Sequence, residues 1–511
     1  YEPCGPKNKS SLISLFISII LPCTVSLVKY IFIKTLYKKV EEMTNNVSAI
    51  KFGTDGWRAV VGQDFNFENV ETVTKAIAQY ILEKDGVEKP VIIGYDPRNM
   101  AYEFAQFSAK ILSQAGFKVT LSDTVVPTPV LAYNAKILDA DALMFTASHN
   151  PPEYLGIKFI PDYAGPATTE ITNAIVENIK NIDSISFSSS QVFEIEQKSF
   201  KEPYFKHIES IIDFEKIREY FTREDDDGEI IYDGLYSASI GYFDELLRRN
   251  NISFESLHMN HDPDFGGGMP EPKAKYLHEL IELITHRTSA IGLSNDGDGD
   301  RFGVINEKAE YVTPNEIIAL LLGHLIKNKG FSGKLVKTVG ASRMLDIIAK
   351  QYDIDIVETP VGFKWVAMRE YDTIIGGEES GGLSIKGHIP EKDGIIADLL
   401  VLEMLAYEDK PLWELQEELK QKAGCVFINE RIDVKLQDQQ QLDILMKKYC
   451  ELEKVANFDI KEKDTKDGVK YYLDDDRTWV LIRPSGTEPL LRIYFESDEK
   501  AKIEELKAFF C

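Results

Sequence analysis

Apolar runs of strand length alternate with stretches of helical period along most of this chain, and that alternation restricts its fold more than any single motif. Val70, Val73, Ile77 and Ile81 recur at helical spacing, and the run 91–95 follows, closed by Asp96-Pro97. A helical stretch through Ile111, a strand at 118–121, a helix near 130–138 and a strand at 142–145 complete a first round. Strands alternating with helices predict an α/β layer with a parallel or mixed sheet. The organisation recurs over about 202–304, ending in a strand at 290–294, and over about 313–424, with strands near 335–339 and 373–375. No sequence repeat accompanies it. After Gly424 strand-like segments at 426–434, 479–483 and 490–496 and a closing helix predict a smaller α+β domain. At 511 residues the chain exceeds one core, so three related α/β domains with mixed sheets (48–200, 201–308, 309–424) and a C-terminal domain (425–511) are expected. The charged stretch 223–229 reads as a surface loop.

Residues 1–47 stand apart. From 10 to 28 the chain carries no charge, is rich in Leu, Ile, Val and Phe, and is flanked by Lys7, Lys9, Lys29 and Lys34. That length can span a bilayer, although Pro22 interrupts it, and no small-x-small cleavage site follows. The chain begins with Tyr1 and its first methionine is Met43. Translation from upstream of the true start is the first expectation for 1–42, and a membrane anchor the second.

The formal net charge of -25 argues against a nucleic-acid partner, which needs a basic face. A phosphorylated small molecule stays possible, since a local arginine cluster can oppose the global sign. The five cysteines are odd in number and widely spaced, which predicts neither a disulfide framework nor a zinc site and favours a cytoplasmic protein.

Four motifs carry chemistry. Thr146-Ala147-Ser148-His149-Asn150-Pro151-Pro152 follows an apolar strand directly. That places Ser148 where a sheet edge opens into a loop, and a phosphorylated serine there can store a phosphoryl group. A plain strand-ending turn has the same composition. Asn295-Asp296-Gly297-Asp298-Gly299-Asp300-Arg301 alternates carboxylates with glycines between two strands. A hard cation such as Mg²⁺ or Ca²⁺ relieves their repulsion, and Arg301 offers a fork for phosphate. A helix-flanked calcium loop also matches Asp at positions 1, 3 and 5 with Glu307 at 12, but Arg301 occupies its glycine position and the flanks read as strands. Gly376-Gly377-Glu378-Glu379-Ser380-Gly381-Gly382 can meet sugar hydroxyls, or be a turn only. Arg483-Pro484-Ser485-Gly486-Thr487-Glu488-Pro489, with Arg492 beyond, can cradle a phosphate, or be a decorated hairpin.

Together and in this order these motifs, with the opening Lys51-Phe52-Gly53-Thr54-Asp55-Gly56-Trp57-Arg58, resemble the α-D-phosphohexomutase superfamily over about residues 50–510. The resemblance implies four domains around a central cleft and a phosphoserine at Ser148. It implies Mg²⁺ held by Asp296, Asp298, Asp300 and a Ser148 phosphate oxygen. Glu378 and Ser380 would contact the sugar, and Arg301, Arg483, Ser485, Gly486, Thr487 and Arg492 the phosphates. Arg58 and Lys158 match positions near the serine; Lys392, in 388–394, matches a phosphoglucomutase motif. Lys158, Lys392 and His149 are candidate bases, Lys158 first. The implied activity is interconversion of hexose 1- and 6-phosphates through a bisphosphate, with glucose 1,6-bisphosphate as primer, in a monomer or dimer. Membrane contact would come only through 1–42. Leu155 stands where relatives often have Asn. Gly382 stands where mannose- and glucosamine-type members often have His, which tilts the expectation to glucose phosphate, with phosphomannomutase or phosphoglucosamine mutase as alternatives. A phosphoserine phosphatase and a non-catalytic calcium- or sugar-binding protein are more distant readings; the Arg483 loop argues against simple hydrolysis, which has little use for a second phosphate anchor.

Overall fold

The computed structural model describes residues 50–53, 56–187, 192–223, 228–368, 370–485 and 490–510. The apolar segment 10–28, Thr54-Asp55, most of the charged stretch after Arg223, and Gly486 and Thr487 lie outside the described residues. Among the described residues no helix is long and apolar enough to cross a membrane.

Among the described residues four sheets follow one another. The first has seven strands in the order Phe52–Gly53, Gly56–Val60, Tyr154–Ile160, Asp141–Phe145, Val91–Tyr95, Val119–Ser122, Glu196–Lys198. Val91–Tyr95 and Asp141–Phe145 are buried at every position and pair in parallel. Continuous apolar runs suit this place, because helices cover a parallel sheet on both faces. The second sheet has five strands and the third four, each again with a parallel core pair. The fourth, with six strands, is antiparallel throughout.

One device recurs in all four. Asp141–Phe145 turns back into antiparallel Tyr154–Ile160, Ala290–Asn295 into Phe302–Ile305, Thr373–Gly377 into Leu383–Ile385, and Trp479–Pro484 into Leu490–Ser497. The first three chemical motifs lie at the turns of such hairpins, and Arg483, Pro484 and Ser485 of the fourth lie at the end of Trp479–Pro484. The strands flanking the acidic motif exclude the helix-flanked calcium loop.

One apolar core runs through the first three layers, from Ile92 and Met144 through Tyr232 and Leu293 to Leu335 and Ile375. The helix Gly394–Glu408 crosses it, buried from Gly394 to Ala406. It has no polar face to signal an orientation, as expected of a core helix. The last sheet has its own core and meets the third layer through Val339, Trp479, Leu481 and Tyr494. That seam is pinned by Lys470 Nζ on the Val339 carbonyl (2.7 Å) and by the Arg343 amide on Glu496 Oε1 (2.9 Å).

Candidate active site

Ser148 is 1% exposed and has φ 53°, a left-handed conformation that a non-glycine residue keeps only when its surroundings impose it. Its amide donates to Thr146 Oγ1 (2.8 Å), and that hydroxyl donates to Asp96 Oδ2 (2.6 Å). Arg98 does the rest. Its Nη2 donates to the carbonyls of Ser148 (2.6 Å) and Asn150 (2.7 Å), its Nη1 to those of Pro151 (2.7 Å) and Tyr154 (3.0 Å), and its Nε to Asp96 Oδ2 (3.1 Å). One planar fork thus fixes the turn. Neither Asp96 nor Arg98 was singled out in the sequence, where they read as the end of a strand. Arg98→Met is expected to destabilise the fold by about 3–5 kcal/mol, because Asp96 loses its buried partner. Adding Asp96→Asn should return part of this in urea unfolding, while turnover stays low because the turn remains loose.

The acidic turn lies directly against the serine. Ser148 Oγ donates to Asp296 Oδ2 at 2.8 Å, across 148 positions of sequence. A β-carbon at Gly297 would stand 2.6 Å from the Ser148 carbonyl, so a glycine is required for this approach. The backbone continues the docking: the Thr128 amide donates to the Asp298 carbonyl (2.9 Å), that of Gly394 to Gly299 (3.0 Å) and that of Phe302 to Gly381 (3.1 Å). Asp296, Asp298 and Asp300 are all buried, with one oxygen of each within 4.8 Å of the others. Lys158 Nζ sits 2.8 Å from both Asp298 Oδ2 and Asp300 Oδ2, and Lys392 Nζ 3.3 Å from Asp300 Oδ2. Thr128 Oγ1 donates to Asp298 Oδ2 (2.5 Å).

Burial, with the neighbouring charges of Asp300 and Asp298, pushes the Asp296 carboxyl well above its usual range. Burial works in the same direction on Asp300, but Lys158, Lys392 and Arg301 outweigh it and hold that carboxylate low. Oδ1 of Asp298 and Oδ1 of Asp300 are buried and make no hydrogen bond among the described residues, although Arg301 Nε stands 3.9 Å from the latter. Unpartnered oxygens in a cluster of three carboxylates are the donor set of a hard divalent cation. The residues therefore fit such an ion.

Around this centre stand the remaining serine-side residues. His149 Nδ1 is 3.3 Å from Ser148 Oγ; burial, then Arg301 and Arg58, lower its pKa well below the ordinary histidine value, so the ring is neutral. Arg58 Nη1 donates to Asn150 Oδ1 (2.7 Å). Leu155 is fully buried beside it, in register with Ala59. Arg301 lies over the same turn: its amide donates to Asp296 Oδ1 (3.0 Å), and Nη1 is 3.9 Å from Glu271, a buried acid that the sequence did not flag.

In the third turn Ser380 Oγ donates to Glu378 Oε2 at 3.2 Å, and Thr338 Oγ1 donates to Glu379 Oε2 at 2.7 Å. Burial raises the Glu378 carboxyl to about 7 against opposition from Lys392. Its folded pKa thus exceeds the ordinary glutamate value. The stability it contributes is full below about pH 4.5 and lost as pH rises through about 7, on the order of 3 kcal/mol in all. Glu378→Gln does not titrate. Unfolding of this variant and the parent should agree best near pH 5, and by pH 8 the variant should have gained by roughly that amount.

In the fourth turn Arg483 Nε donates to Asp467 Oδ2 (2.6 Å), Arg492 faces Arg483 across the strand pair with its Nε buried and unpartnered, and the Ser485 amide donates to the Leu490 carbonyl (2.8 Å). Lys392 Nζ stands over the Phe363 ring at 5.2 Å. The next residue, Lys364, donates to Thr169 Oγ1 (3.1 Å), and its pKa is lowered by burial and by the nearby Arg483. Lys392 thus packs on Phe363, and the neighbouring Lys364 is near enough to Arg483 to feel its charge. Sequence reasoning missed Lys364; the turn residues Pro360 and Gly362 ahead of it were the available signal, too weak alone.

A serine, three carboxylates and two arginine-bearing turns, each at the edge of its own sheet, define a phosphoryl-handling α/β enzyme built in four units. Profiles of the phosphoglucomutase/phosphomannomutase family match domain by domain: α/β/α domain I over 49–186, domain II over 202–309, domain III over 313–423 and the C-terminal domain over 434–511. A probable phosphoglucosamine mutase from Pyrococcus furiosus is 30% identical over 458 residues, covering 89% of this chain and 95% of the relative. A phosphoglucomutase/phosphomannomutase from Thermococcus kodakarensis is 29% identical over 460 residues, covering 88% of this chain and 96% of its own. The solved structure of a protein from Thermus thermophilus assigned as a phosphomannomutase superposes with a TM-score of 0.77 at 29% identity, over 90% of this chain and 97% of that one. The chain belongs to the phosphoglucomutase/phosphomannomutase family, within the α-D-phosphohexomutases. It is an isomerase of the phosphohexose mutase type.

Proposed function

We propose that this enzyme interconverts hexose 1-phosphate and hexose 6-phosphate through phospho-Ser148 and a hexose 1,6-bisphosphate. The observation that carries the reading is the 2.8 Å contact of Ser148 Oγ with Asp296, which joins the phosphoryl carrier to the acidic cluster. Asp296, Asp298 and Asp300, with a phosphate oxygen on Ser148, would hold Mg²⁺, which supplies charge neutralisation to the transferring group. Arg98 and Thr146 keep the serine turn rigid, so its oxygen stays on line with an incoming hydroxyl. Arg301, whose Nε makes no hydrogen bond among the described residues and lies 3.9 Å from Asp300 Oδ1, would turn its guanidinium to phosphate oxygens.

The attacking sugar hydroxyl must lose a proton. We assign it to Lys158, which shares Asp298 and Asp300 with the cation site, because added positive charge on those carboxylates lowers the cost of neutralising the ammonium. Glu378 and Ser380 would receive the sugar hydroxyls. Arg483, Ser485, Arg492 and the adjoining Gly486 and Thr487 would anchor the phosphate that is not in transfer, with Lys364 beside them. A second phosphate anchor suits a substrate carrying phosphate at both ends, and this favours a mutase over a phosphatase.

Glucose phosphate is the substrate we propose first, on Gly382 and the 388–394 segment. The relative from P. furiosus favours glucosamine phosphate as a second reading. A coupled assay with Mg²⁺ and a bisphosphate primer, run on the 1-phosphates of glucose, mannose and glucosamine, tests both. Isomerisation of one of them is expected; steady release of inorganic phosphate without isomerisation would overturn the mutase reading.

A further inference from the structure

The segment after Leu383–Ile385 carries Lys392 into the acidic centre, and it is held from behind by hydrogen bonds that join His388 and Asp393 of the 388–394 motif to His207 and Tyr204. Asp393 is fully buried, and its carboxylate takes four donors. The amides of Ile395 (2.9 Å) and Ile396 (3.0 Å) bond to Oδ1; His388 Nε2 (2.8 Å) and Tyr204 Oη (2.7 Å) bond to Oδ2. A carboxylate only accepts, so Nε2 of His388 carries the hydrogen. His207 Nε2 lies 2.9 Å from His388 Nδ1, and the two nitrogens share one hydrogen bond. The two rings are within 9° of parallel with centroids 5.1 Å apart, the spacing of rings meeting edge to edge in one plane. Tyr133 stacks on His207 at 4.5 Å.

The result is a chain of hydrogen bonds, His207 to His388 to Asp393. It starts on the helix Lys201–Ile211 and ends one residue from Lys392. Lys392 itself has little latitude. Its stem crosses Gly382 so closely that a β-carbon there would stand 2.3 Å from its Cδ and 2.8 Å from its Cγ. Its ammonium reaches Asp300 (3.3 Å) and the face of Phe363 (5.2 Å). The Asp393 amide donates to the Leu383 carbonyl (3.0 Å), so the backbone on which Lys392 is mounted is set by the same residue that the histidines fix.

We infer that His388, backed by His207, is a positioning residue that holds Lys392 over Gly382 against the acidic turn. The inference rests on the reading of Lys392 as a residue of the mutase site. Ligand-orienting partners of this kind typically account for about 10- to 100-fold in activity. The test is a double-mutant cycle in the full chain, with Mg²⁺, a bisphosphate primer and whichever hexose 1-phosphate supports turnover. His388→Ala is expected to lower kcat about 10-fold or more with KM moved less than about 3-fold, and His388→Asn, whose amide can still donate to Asp393, to recover most of it. With Lys392→Met already present, adding His388→Ala should change kcat by less than about 3-fold, because the residue it positions is gone. Should His388→Ala fail to fold, half-buried His207→Leu removes the shared hydrogen bond from the other side and takes its place in the cycle.

Losses that multiply in the double variant, or a His388→Ala enzyme as fast as the parent, would overturn the positioning role and leave the mutase reading intact. Full turnover by Lys392→Met would remove Lys392 from the site and this inference with it.

Discussion

Ser148→Ala lowers mutase turnover by on the order of 10⁴-fold or more while the protein stays folded, because the hydroxyl is the sole phosphoryl carrier in the proposed reaction. The structure separates this loss from any loss of stability. The serine side chain makes two contacts, Asp296 Oδ2 at 2.8 Å and His149 Nδ1 at 3.3 Å, and neither secures the turn. The turn is secured by Arg98 and Thr146 through the backbone of Ser148, which alanine retains. Ser148→Gly sharpens the comparison. At φ 53° glycine is unstrained, so this variant should match or exceed the parent in unfolding by up to about 1 kcal/mol and be equally inactive. Incubation with hexose 1,6-bisphosphate labelled in both phosphates should leave label on the parent protein and none on either variant. Retained turnover in Ser148→Ala would place the carrier elsewhere.

The sequence made this residue legible because a strand-ending serine next to His, Asn and Pro is a local pattern. The same holds for the acidic turn and the Gly-rich turn, each a short run with its chemistry in consecutive residues. The strands beneath them were also readable: the apolar runs at 91–95 and 142–145 lie in strands at the centre of the first sheet, the second strand starting one residue earlier at Asp141. Glu196–Lys198 was not readable. It is a three-residue parallel edge strand of exposed polar residues, with no periodicity to find. Nor does residue pattern reveal that the same hairpin recurs in all four sheets, since the repeat is one of connection and not of residue type.

Residues whose work depends on tertiary placement left no trace. Arg98 acts on carbonyls 50 or more positions away, and Lys364 donates to Thr169, 195 positions away. His207 looks ordinary in its own segment, and His388, though part of the 388–394 motif, shows its partner only in their 2.9 Å contact. Gly382 is instructive in another way. In the sequence it was a departure from relatives with a side chain there; in the fold it is the space through which Lys392 passes.

Chelation of divalent cations should abolish turnover and Mg²⁺ should restore it, and the acidic turn explains why the effect is large. Three carboxylates with oxygens within 4.8 Å repel one another by roughly 3 kcal/mol per charged pair at an intermediate effective dielectric. Lys158 and Lys392 offset part of this, yet one oxygen each of Asp298 and Asp300 stays buried with no hydrogen-bond donor among the described residues. A divalent ion supplies the missing positive charge, so binding should raise the melting temperature, with stabilisation growing as the logarithm of Mg²⁺ above its dissociation constant. Asp296→Asn is the discriminating variant. The amide keeps the size of the side chain and can still accept from the Arg301 amide, as Oδ1 does at 3.0 Å, and it cannot take on the charge that burial, Asp300 and Asp298 already disfavour at this position. Without metal it should therefore unfold no more readily than the parent, yet it should lose the Mg²⁺-dependent rise in melting temperature and about 10³-fold or more of turnover, as expected when charge neutralisation at the transferring phosphoryl group fails. A parent protein whose melting temperature ignores Mg²⁺, or an Asp296→Asn enzyme still stabilised by it, would mean that the ion binds away from this turn and that the carboxylates serve only to hold Lys158 and Lys392 in place.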